Sequence, residues 1–576
     1  MFKRRLMSLL LIVVVAASVA VVGCGGAKEK PKEETTKEEA APESPYAEKQ
    51  ELVFNLGSEP PTLDPALCTD SSSSTVIYQI FEGLMQRKLG EGGVEPAIAE
   101  RWEVSEDGKE YTFYLRDGVT WTNGDPVTAE DFEFAWKRVL DPRTASDYAY
   151  LLWMIEGAEA ANTFALPDKE KEPEKYEAAV KELEGLLDQV AVKATDPKTL
   201  KVRLIAPAPY FLDLMAFFTF MPVNRRAVEA NPDTWAADPS TIVTNGPFKL
   251  TEWNHKSDLT LVKNDTYWDK DKVKLEKIKI VQISDPATSL TAYENGEFDM
   301  SDSGLVPLPD TPRLLESGEA KRMPFLATYY IDFNCTRKPL DDPRVRRALS
   351  LAIDRKSLVE NVLKGGQLPA TAFVPPGIYN PATGKDFREE AGDLFKDADI
   401  ETAKKLLAEA GYPDGKNFPK LTLLYNTEGA HKDIMQAIQQ MWKQNLGIEV
   451  ELGGQEWQVF LKTRVQGDYD IARDGWIGDY IDPMTFLDMF LSNSQQNNPK
   501  WKNKQFDELI NKAKTTNDQA VRMQALHDAE KIFMEEMPIA PVYFYVQIWQ
   551  QRDYVKDVMH DIQQNWGFKY AWIEKH

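Results

Sequence analysis

Residue types that perform catalysis occur in this chain, but their spacing matches no catalytic template. The sequence contains no GxSxG nucleophile elbow, HExxH zinc helix, P-loop or GxGxxG dinucleotide turn. No two of its five histidines are spaced as metal ligands on one helix turn. Acidic pairs such as Asp341 and Asp342 arise by chance among 91 acids, so a glycosidase dyad would go unnoticed. The residues give no positive evidence of catalysis, and we expect no metal and no cofactor.

Length and charge restrict the class of protein. A chain of 576 residues exceeds the size at which a single core stops growing, so more than one folded unit is expected. Its 68 basic and 91 acidic residues give a net charge of −23. Nucleic acids and anionic lipid surfaces both require a cationic face. We therefore expect no nucleic-acid partner and no direct membrane-surface binding by the folded body.

The N-terminus has the pattern of an export signal. Lys3, Arg4 and Arg5 precede an apolar run that ends in small residues before Cys24. The sequence VVGC at 21–24 resembles the lipobox of bacterial lipoproteins, which implies cleavage after residue 23 and a diacylglycerol on Cys24. The alternative is a short transmembrane anchor, although the apolar run barely reaches the ~20 residues that a span requires. We expect a lipid-anchored protein on the extracellular face of the cell membrane, facing the periplasm if the cell has an outer membrane.

Residues 24–49 are expected to form a disordered tether after the lipidated cysteine. They are rich in Lys, Glu, Thr and Pro and nearly lack large apolar groups, so they cannot bury enough surface to fold. Two other cysteines remain, Cys68 and Cys335. They could be joined by a disulfide outside the cell, or they could be buried free thiols.

The body alternates strand-like and helical patterns, which is typical of a mixed α/β protein. Strands are predicted at 51–57, 111–115 and 199–207, and a helix is predicted to begin at Thr128 with Asp131 at its third position. Further predicted elements are a charged helical insertion, two helices, and a strand that follows a helix; they lie at 167–188, 342–363, 400–410 and 447–457.

Several segments together resemble one family. The chain is similar to the bacterial extracellular solute-binding proteins of family 5, and in particular to oligopeptide-binding lipoproteins of the OppA type, which serve ABC importers. The matching segments are EPPTLDPA (59–66), IFEGLM (80–85), EPAIAERWEVSEDGKEYTFYLRDGVTW (95–121), TNGPFKLTEW (244–253), NDTYWD (264–269), DDPRVRRALSLAIDR (341–355) and AKKLLAEAGY (403–412). Each match is weak alone, but their order spans nearly the whole body.

The resemblance implies an α/β, two-lobed fold like that of the periplasmic binding proteins (type II, cluster C), with an extra domain. It implies a first lobe made of residues 50–72, 200–284 and 546–576. Residues 73–199 would form the extra domain, and residues 285–545 a second lobe that carries the ligand anchors.

The segment ARDGWIGDYIDPMTFLDMF, at 472–490, resembles the RxGWxxDYxDPxxFL stretch of oligopeptide-binding proteins. The resemblance implies that Asp479 binds the free α-ammonium of a peptide. An enclosed ammonium needs a carboxylate, because a buried charge left unpaired costs ~3–5 kcal/mol. The alternative is that Asp479 caps a helix or fixes a turn before the proline that follows.

The resemblance also implies anchors for the other end of a peptide. It assigns Arg473 to the carboxylate of short peptides, His431 to that of longer ones, and a related role to Lys364. Arg473 could instead form a structural ion pair, and His431 could be an exposed loop residue.

Side chains and main chain of a peptide would be held by different groups. Trp457, Trp476, Tyr148 and Tyr545 are candidates to line roomy, hydrated side-chain pockets. The backbones of Gly475, Trp476 and Ile477, and the segment around Glu59, would pair with the peptide as an added strand. Glu59 could contact the ligand or only fix its turn, and the two prolines after it offer no N–H donor.

The expected function is capture and delivery. Peptide would close the cleft between the lobes, and the closed form would dock on a permease of two membrane subunits driven by two ATPases. We expect a monomer that is not an enzyme. Alternatives within the fold are a nickel chelate, haem or sugar as ligand, or a peptide-sensing lipoprotein. An alternative from another class is a hydrolase that uses Asp479 and His431.

Overall fold

The computed structural model describes residues 44–89 and 93–576. The predicted signal peptide (1–23) and the lipidation site Cys24 lie outside these residues. The folded body begins at Tyr46 and runs to His576. None of the helices in the described part of the chain is both long enough and apolar enough to cross a membrane.

The first of three larger sheets joins segments that are far apart in sequence. Its strands lie in the spatial order Met300–Ser301, Glu51–Asn55, Lys277–Val281, Asp258–Lys263 and Phe248–Asn254. Glu51–Asn55 is parallel to both of its neighbours, and the remaining pairs are antiparallel. Leu52, Phe54, Ile278 and Ile280 are completely buried, as expected for alternating strand positions facing a core.

The second sheet has six strands and supplies most of the site described below. Its spatial order is Leu368–Pro369, Ile539–Gln550, Ala320–Phe333, Ile471–Ile477, Leu421–Asn426 and Val450–Gln455. The two longest strands are antiparallel to each other, whereas Leu421–Asn426 is parallel to both of its neighbours. The sheet is therefore mixed.

The third sheet is antiparallel and has the order Ala99–Val104, Glu110–Leu115, Thr199–Arg203 and Val192–Asp196. Helix Ala129–Leu140 packs on it and has a capping box at its start, in which Asp131 Oδ2 accepts from Thr128 N at 2.8 Å. Three two-stranded ladders complete the strands: Met85–Arg87 with Val94–Pro96, Val555–Lys556 with Trp572–Ile573, and Met559–His560 with Trp566–Gly567.

Helices cover the faces of these sheets. The α-helices are Ser71–Ile80, Ala129–Leu140, Ala158–Asn162, Pro173–Gln189, Phe211–Leu214, Arg225–Ala230, Pro286–Glu294, Thr311–Ser317, Pro343–Leu351, Arg355–Ser357, Phe387–Ala391, Ile400–Glu409, His431–Leu446, Trp457–Val465, Met484–Leu487, Lys504–Thr515 and Gln519–Glu536. The predicted mixed α/β class is confirmed.

One predicted helix is interrupted. The pattern at 342–363 predicted a single helix, but the first helix ends at Leu351. A second begins after Asp354, whose side chain accepts from Ser357 N at 2.8 Å, and continues as a π-helical turn over Leu358–Leu363. A new N-cap inside the segment explains why the helix restarts there.

Strand pairing and strand ends do not coincide with the predicted lobe boundaries. Met300–Ser301 pairs with Glu51–Asn55, although residue 300 was assigned to the second lobe. Thr199–Arg203 crosses the boundary predicted at 199, and Ile539–Gln550 crosses the one at 545. Such pairings are nonlocal, so the local pattern could not place them. The residue bounds of the two lobes and of the extra domain remain predictions.

The end of the predicted tether belongs to the folded body. Ala47 N donates to Ile573 O at 2.9 Å, and the Tyr46 and Trp572 rings meet edge to face at 4.9 Å. Tyr46 also forms a bridge with Glu574. The tether expected at 24–49 is therefore too long at its C-terminal end.

The two cysteines of the described body are free thiols. Cys68 is buried and Cys335 is partly buried. Burial raises the pKa of both, that of Cys335 to about 11. Of the two alternatives left open by the sequence, the structure has free thiols that stay protonated at neutral pH.

Candidate functional site

A cavity of about 350 Å³ brings together segments that are far apart in the sequence. Its volume falls within the range of small-molecule and peptide sites. Strand Ile471–Ile477 and the residues just after it form one wall, and the loop around Asp302 contributes another. The predicted site residues that line the cavity are Tyr148, His431, Trp457, Arg473, Gly475, Trp476, Ile477, Asp479 and Tyr545.

Asp479 lies two residues after this strand and is only 5% exposed. Its Oδ2 accepts from Thr485 Oγ1 at 3.2 Å and its Oδ1 from Tyr148 Oη at 3.4 Å. No cationic side chain in the described chain forms a salt bridge with it. Burial, and then the nearby Asp488, raise its pKa well above the usual range. Pro483, not Asp479, occupies the N-cap of the next helix. Asp479 is thus a buried acid at the cavity wall that has hydroxyl donors and no salt-bridge partner among the described residues. Arg87 lies nearby, with Nη2 donating to the Asp479 main-chain O at 3.4 Å, and its charge lowers the pKa in part.

Arg473 occupies the same strand, six residues before Asp479, and is 8% exposed. Its guanidinium lies over the Tyr329 ring, with Cζ 5.3 Å from the centroid. Within residues 44–89 and 93–576 it makes no salt bridge, and its Nε has no hydrogen-bond partner. The expected alternative, a structural ion pair, is therefore not seen in this part of the chain.

His431 begins helix His431–Leu446, and its Nδ1 lies 3.2 Å from Tyr329 Oη. Burial lowers its pKa well below the usual range, and the charge of Arg473 lowers it further. His431 is therefore neutral at pH 7. It is not the exposed loop histidine of the alternative interpretation, and it can offer a carboxylate a hydrogen bond but not a charge.

Sequence reasoning missed a second arginine in the cavity wall. Arg464, on helix Trp457–Val465, forms a salt bridge with Asp474, and both side chains are nearly buried. Strand Ala320–Phe333 pairs with the strand that carries Asp474, and it contains Asp332. Asp332 is fully buried, and neither of its carboxyl oxygens has a hydrogen-bond partner among the described residues. Burial, and then the charge of Asp474, raise the pKa of Asp332. Arg464 thus already has a counter-ion, whereas none of the described acids forms a salt bridge with Arg473.

Aromatic rings form much of the remaining wall. Trp476 stacks on Tyr148 with ring centroids 6.1 Å apart, and Tyr545 lies 5.7 Å from the Tyr329 ring. The indole N–H groups of Trp457 and Trp476 find no acceptor among the described residues. Buried donors of this kind normally have a partner, so ligand or water is expected to supply one.

Strand Ile471–Ile477 has a partly free edge. It pairs with Ala320–Phe333 along its whole length, from Phe333 opposite Ile471 to Ala327 opposite Ile477. On its other side, Leu421–Asn426 pairs only with Ile471 and Ala472. Beyond Ala472, therefore, no described strand occupies this edge.

Two predicted site residues are not among those that line the cavity. The Glu59 carboxylate accepts from Trp253 Nε1 and Lys256 N, both at 3.1 Å, and contacts His255 Nδ1 at 2.7 Å. It joins the segment around residue 59 to the turn at 253–256, so its carboxylate is engaged away from the cavity-lining residues. Lys364 ends the π-helical turn in a left-handed conformation, and only its neighbour Leu363 reaches the wall.

The cavity wall contains four further acids that no sequence motif predicted. Asp70, Asp302, Glu428 and Asp474 all line the cavity, although they come from three separate parts of the chain. Of these four, Asp70 could have been predicted as a helix cap, because it directly precedes helix Ser71–Ile80 and caps it. Their convergence is a property of the tertiary structure.

Comparison with known proteins gives consistent results. The family model of bacterial extracellular solute-binding proteins, family 5 Middle, matches residues 93–498. The oligopeptide-binding protein OppA of Bacillus subtilis is 45% identical over 518 residues, which cover 89% of this chain and 90% of that protein.

Solved structures match over the same length. Haemophilus influenzae OppA in complex with RPPGFSPFR has a TM-score of 0.82 at 32% identity, covering 92% of this chain and all of that one. The Escherichia coli murein tripeptide-binding protein MppA has a TM-score of 0.83 at 34% identity, with the same coverage. Its unliganded open form, of which 98% is covered, has a TM-score of only 0.60. The backbone of this chain therefore superposes less well on the unliganded open form than on the first MppA structure.

The matched family segment covers well over half of the chain, and the fold, the cavity between its parts and the relatives all agree. This chain belongs to the bacterial extracellular solute-binding proteins of family 5, whose two-lobed periplasmic-binding fold it shares.

Proposed function

We propose that this protein captures oligopeptides in the cavity by their backbone and charged termini and delivers them to an ABC transporter permease. One observation carries the proposal. A buried acid, Asp479, and a buried arginine, Arg473, line the same cavity, lie six residues apart and have no salt-bridge partner in the described part of the chain. A zwitterionic chain complements both charges.

The ammonium end is assigned to Asp479. Its ionised form is disfavoured by burial, and an incoming ammonium would offset that cost. Tyr148 and Thr485 each donate a hydrogen bond to the carboxylate and so hold it in one orientation. A peptide with a free N-terminus would add the missing charge.

The carboxylate end is assigned to Arg473, with His431 as a neutral donor beside it. The guanidinium can bind a carboxylate through two parallel hydrogen bonds. Arg464 is less available because Asp474 already pairs with it. Lys364, which the family resemblance suggested as a further anchor, has no part in this proposal.

The middle of the peptide would lie along the free strand edge from Arg473 to Ile477. Main-chain N–H and C=O groups are the same for every sequence, so an added strand gives affinity without side-chain selection. Trp457, Trp476 and Tyr545 would pack against side chains, with water filling the gaps.

Oligopeptide is favoured over other ligands of this fold by the relatives named above, one of which is described in complex with a nine-residue peptide. We further propose that the chain is anchored outside the cell through lipid on Cys24, that it acts as a monomer, and that it has no catalytic role. Nutrient uptake and peptide sensing would both begin with this capture step.

The test uses matched peptides with free and acetylated N-termini. We expect Asp479→Asn to weaken binding of the free peptide at least tenfold and to change binding of the acetylated one little, since only the former brings an ammonium. Calorimetry measures both, and Asp468→Asn, an exposed acid in the same lobe, serves as control. Equal affinities of wild type and Asp479→Asn for the free peptide would refute the assignment.

Mass spectrometry of the incubated peptide separates capture from hydrolysis. Intact peptide recovered with the protein supports binding. Truncated peptide would instead support the hydrolase alternative. Recovery of a metal chelate, haem or sugar and no peptide would favour another ligand of the same fold.

A further inference from the structure

Acids outnumber bases among the ionisable side chains that line the cavity. The acids are Asp70, Asp302, Glu428, Asp474 and Asp479, and the bases are Arg464, Arg473 and the neutral His431. Asp474 pairs with Arg464. If the peptide termini pair with Asp479 and Arg473, then Asp70, Asp302 and Glu428 are left without a positive charge. Within the described residues none of these three forms a salt bridge.

Asp70 and Asp302 already have structural roles. Asp70 Oδ1 accepts from Ser73 N at 3.0 Å and caps helix Ser71–Ile80. Asp302 Oδ1 accepts from Gln564 Nε2 at 2.7 Å and from Trp566 Nε1 at 2.8 Å. Both acids therefore hold parts of the protein together.

Glu428 is different because its hydrogen-bond partner Asn426 has a buried oxygen without a partner among the described residues. It lies in the loop between strand Leu421–Asn426 and helix His431–Leu446. Its Oε1 accepts from Trp457 N at 3.1 Å and its Oε2 from Asn426 Nδ2 at 3.0 Å. A carboxylate oxygen can accept two hydrogen bonds, so each oxygen can take one more.

Asn426 provides a second, independent sign of a missing donor. It is only 4% exposed and lines the cavity. Its Nδ2 is used by Glu428, which fixes the amide orientation, and its Oδ1 has no hydrogen-bond partner among the described residues. A buried carbonyl oxygen without a donor costs about as much as a lost hydrogen bond.

The Trp457 ring completes the arrangement. Its backbone N–H donates to Glu428 Oε1, and the residue also lines the cavity. An aromatic face next to a carboxylate and a carbonyl oxygen is a favourable environment for a lysine ammonium or an arginine guanidinium.

We propose, on the basis of the proposed peptide function, that Asn426, Glu428 and Trp457 form a subsite for a basic side chain of the bound peptide. The cation donates to Glu428 and to Asn426 Oδ1 and packs on the indole. The protein then takes up many peptides through their backbone and prefers those with Lys or Arg at the position facing this subsite.

The experiment compares tetra-alanine with two sets of its single-substituted variants. One set has Lys at each position in turn, and the other has norleucine, which keeps the aliphatic chain without the charge. For wild type we expect Lys to bind about tenfold or more tightly than norleucine at one position. Glu428→Gln should abolish that difference and leave the affinity for tetra-alanine within about twofold.

Controls separate this inference from the proposed function. Glu451→Gln removes an acid of the same lobe from an exposed position and should keep the Lys preference. Equal binding of Lys and norleucine at every position by wild type would overturn the subsite while leaving peptide capture intact. Retention of the preference by Glu428→Gln, or loss of tetra-alanine binding as well, would also overturn it. Failure of wild type to bind any of these peptides would refute the proposed function itself.

Discussion

At the scale of single residues, the cavity acids differ in what compensates their burial. Asp474 has an arginine, Asp479 has hydroxyl donors, and Asp302 has an indole N–H and an amide N–H. Neutral donors compensate a negative charge less well than a cation does. Burial accordingly raises the pKa of Asp302 to about 6. Asp302 should therefore change its charge in the mildly acidic range.

The stability of the protein should depend on pH through Asp302. Because its folded-state pKa lies above its unfolded value, the protonated group favours folding below about pH 4, and this advantage is lost as the pH rises through 6. Relative to Asp302→Asn, wild type should lose up to about 3 kcal/mol of unfolding free energy between pH 4 and pH 7.5. Urea unfolding of both proteins at the two pH values measures this difference.

Measuring wild type and Asp302→Asn at both pH values cancels the contributions of the acids that the two proteins share. A constant difference between wild type and Asp302→Asn across this range would contradict the assigned pKa. A difference that grows in the opposite direction would indicate that a cation stabilises the carboxylate.

At the scale of elements, strand Ile471–Ile477 combines the anchors, the free edge and a required glycine. A Cβ atom at Gly475 would lie 2.9 Å from Tyr545 Oη, which is closer than a carbon and an oxygen can approach without a shift. Gly475 thus lets the Tyr545 ring lie directly over the strand. The ring and the strand edge together shape the space for a peptide backbone.

Substitution of Gly475 should weaken binding of all peptides alike. In Gly475→Ala, the new methyl group displaces Tyr545 into the cavity, and we expect about a tenfold loss of affinity regardless of peptide sequence. Calorimetry with tetra-alanine and with a lysine-containing peptide measures it.

A second substitution tests the cause. Tyr545→Phe removes the oxygen that the methyl group would meet, so Gly475→Ala combined with Tyr545→Phe should bind nearly as well as Tyr545→Phe alone. An additive loss in the double variant would show that the glycine matters for another reason, such as backbone freedom.

At the scale of the whole molecule, the folded body includes a short N-terminal segment that the composition assigned to the tether. Tyr46 and Ala47 contact Trp572 and Ile573, so the two ends of the folded body meet. The segment that begins at Tyr46 is therefore part of the folded body.

Two truncations should have different effects on stability. Deletion of residues 25–43 should leave the unfolding free energy unchanged, whereas deletion of 25–48 should lower it by about 1–2 kcal/mol through loss of the aromatic and backbone contacts. Denaturant unfolding of the soluble proteins checks this. Equal stability of the two truncations would contradict an ordered role for Tyr46 and Ala47.

Peptide should also make the molecule more compact. Contacts to both lobes exist only when the cleft is closed, so ligand shifts the population toward that form. Small-angle X-ray scattering of the peptide-free protein should give a larger radius of gyration than the same protein saturated with peptide. An unchanged radius would mean that the closed form predominates without ligand.

The sequence by itself determined the mixed α/β class, the capped helix after Thr128, the family and most of one cavity wall. These follow from local signals, since strand alternation, a capping box and the segment at 472–490 are each contained in a few consecutive residues. Only the tertiary structure decided that Asp474 occupies Arg464, that His431 is neutral and that Glu59 turns to Trp253. Burial and partners of these side chains come from residues up to about two hundred positions away, and no local pattern encodes such distances.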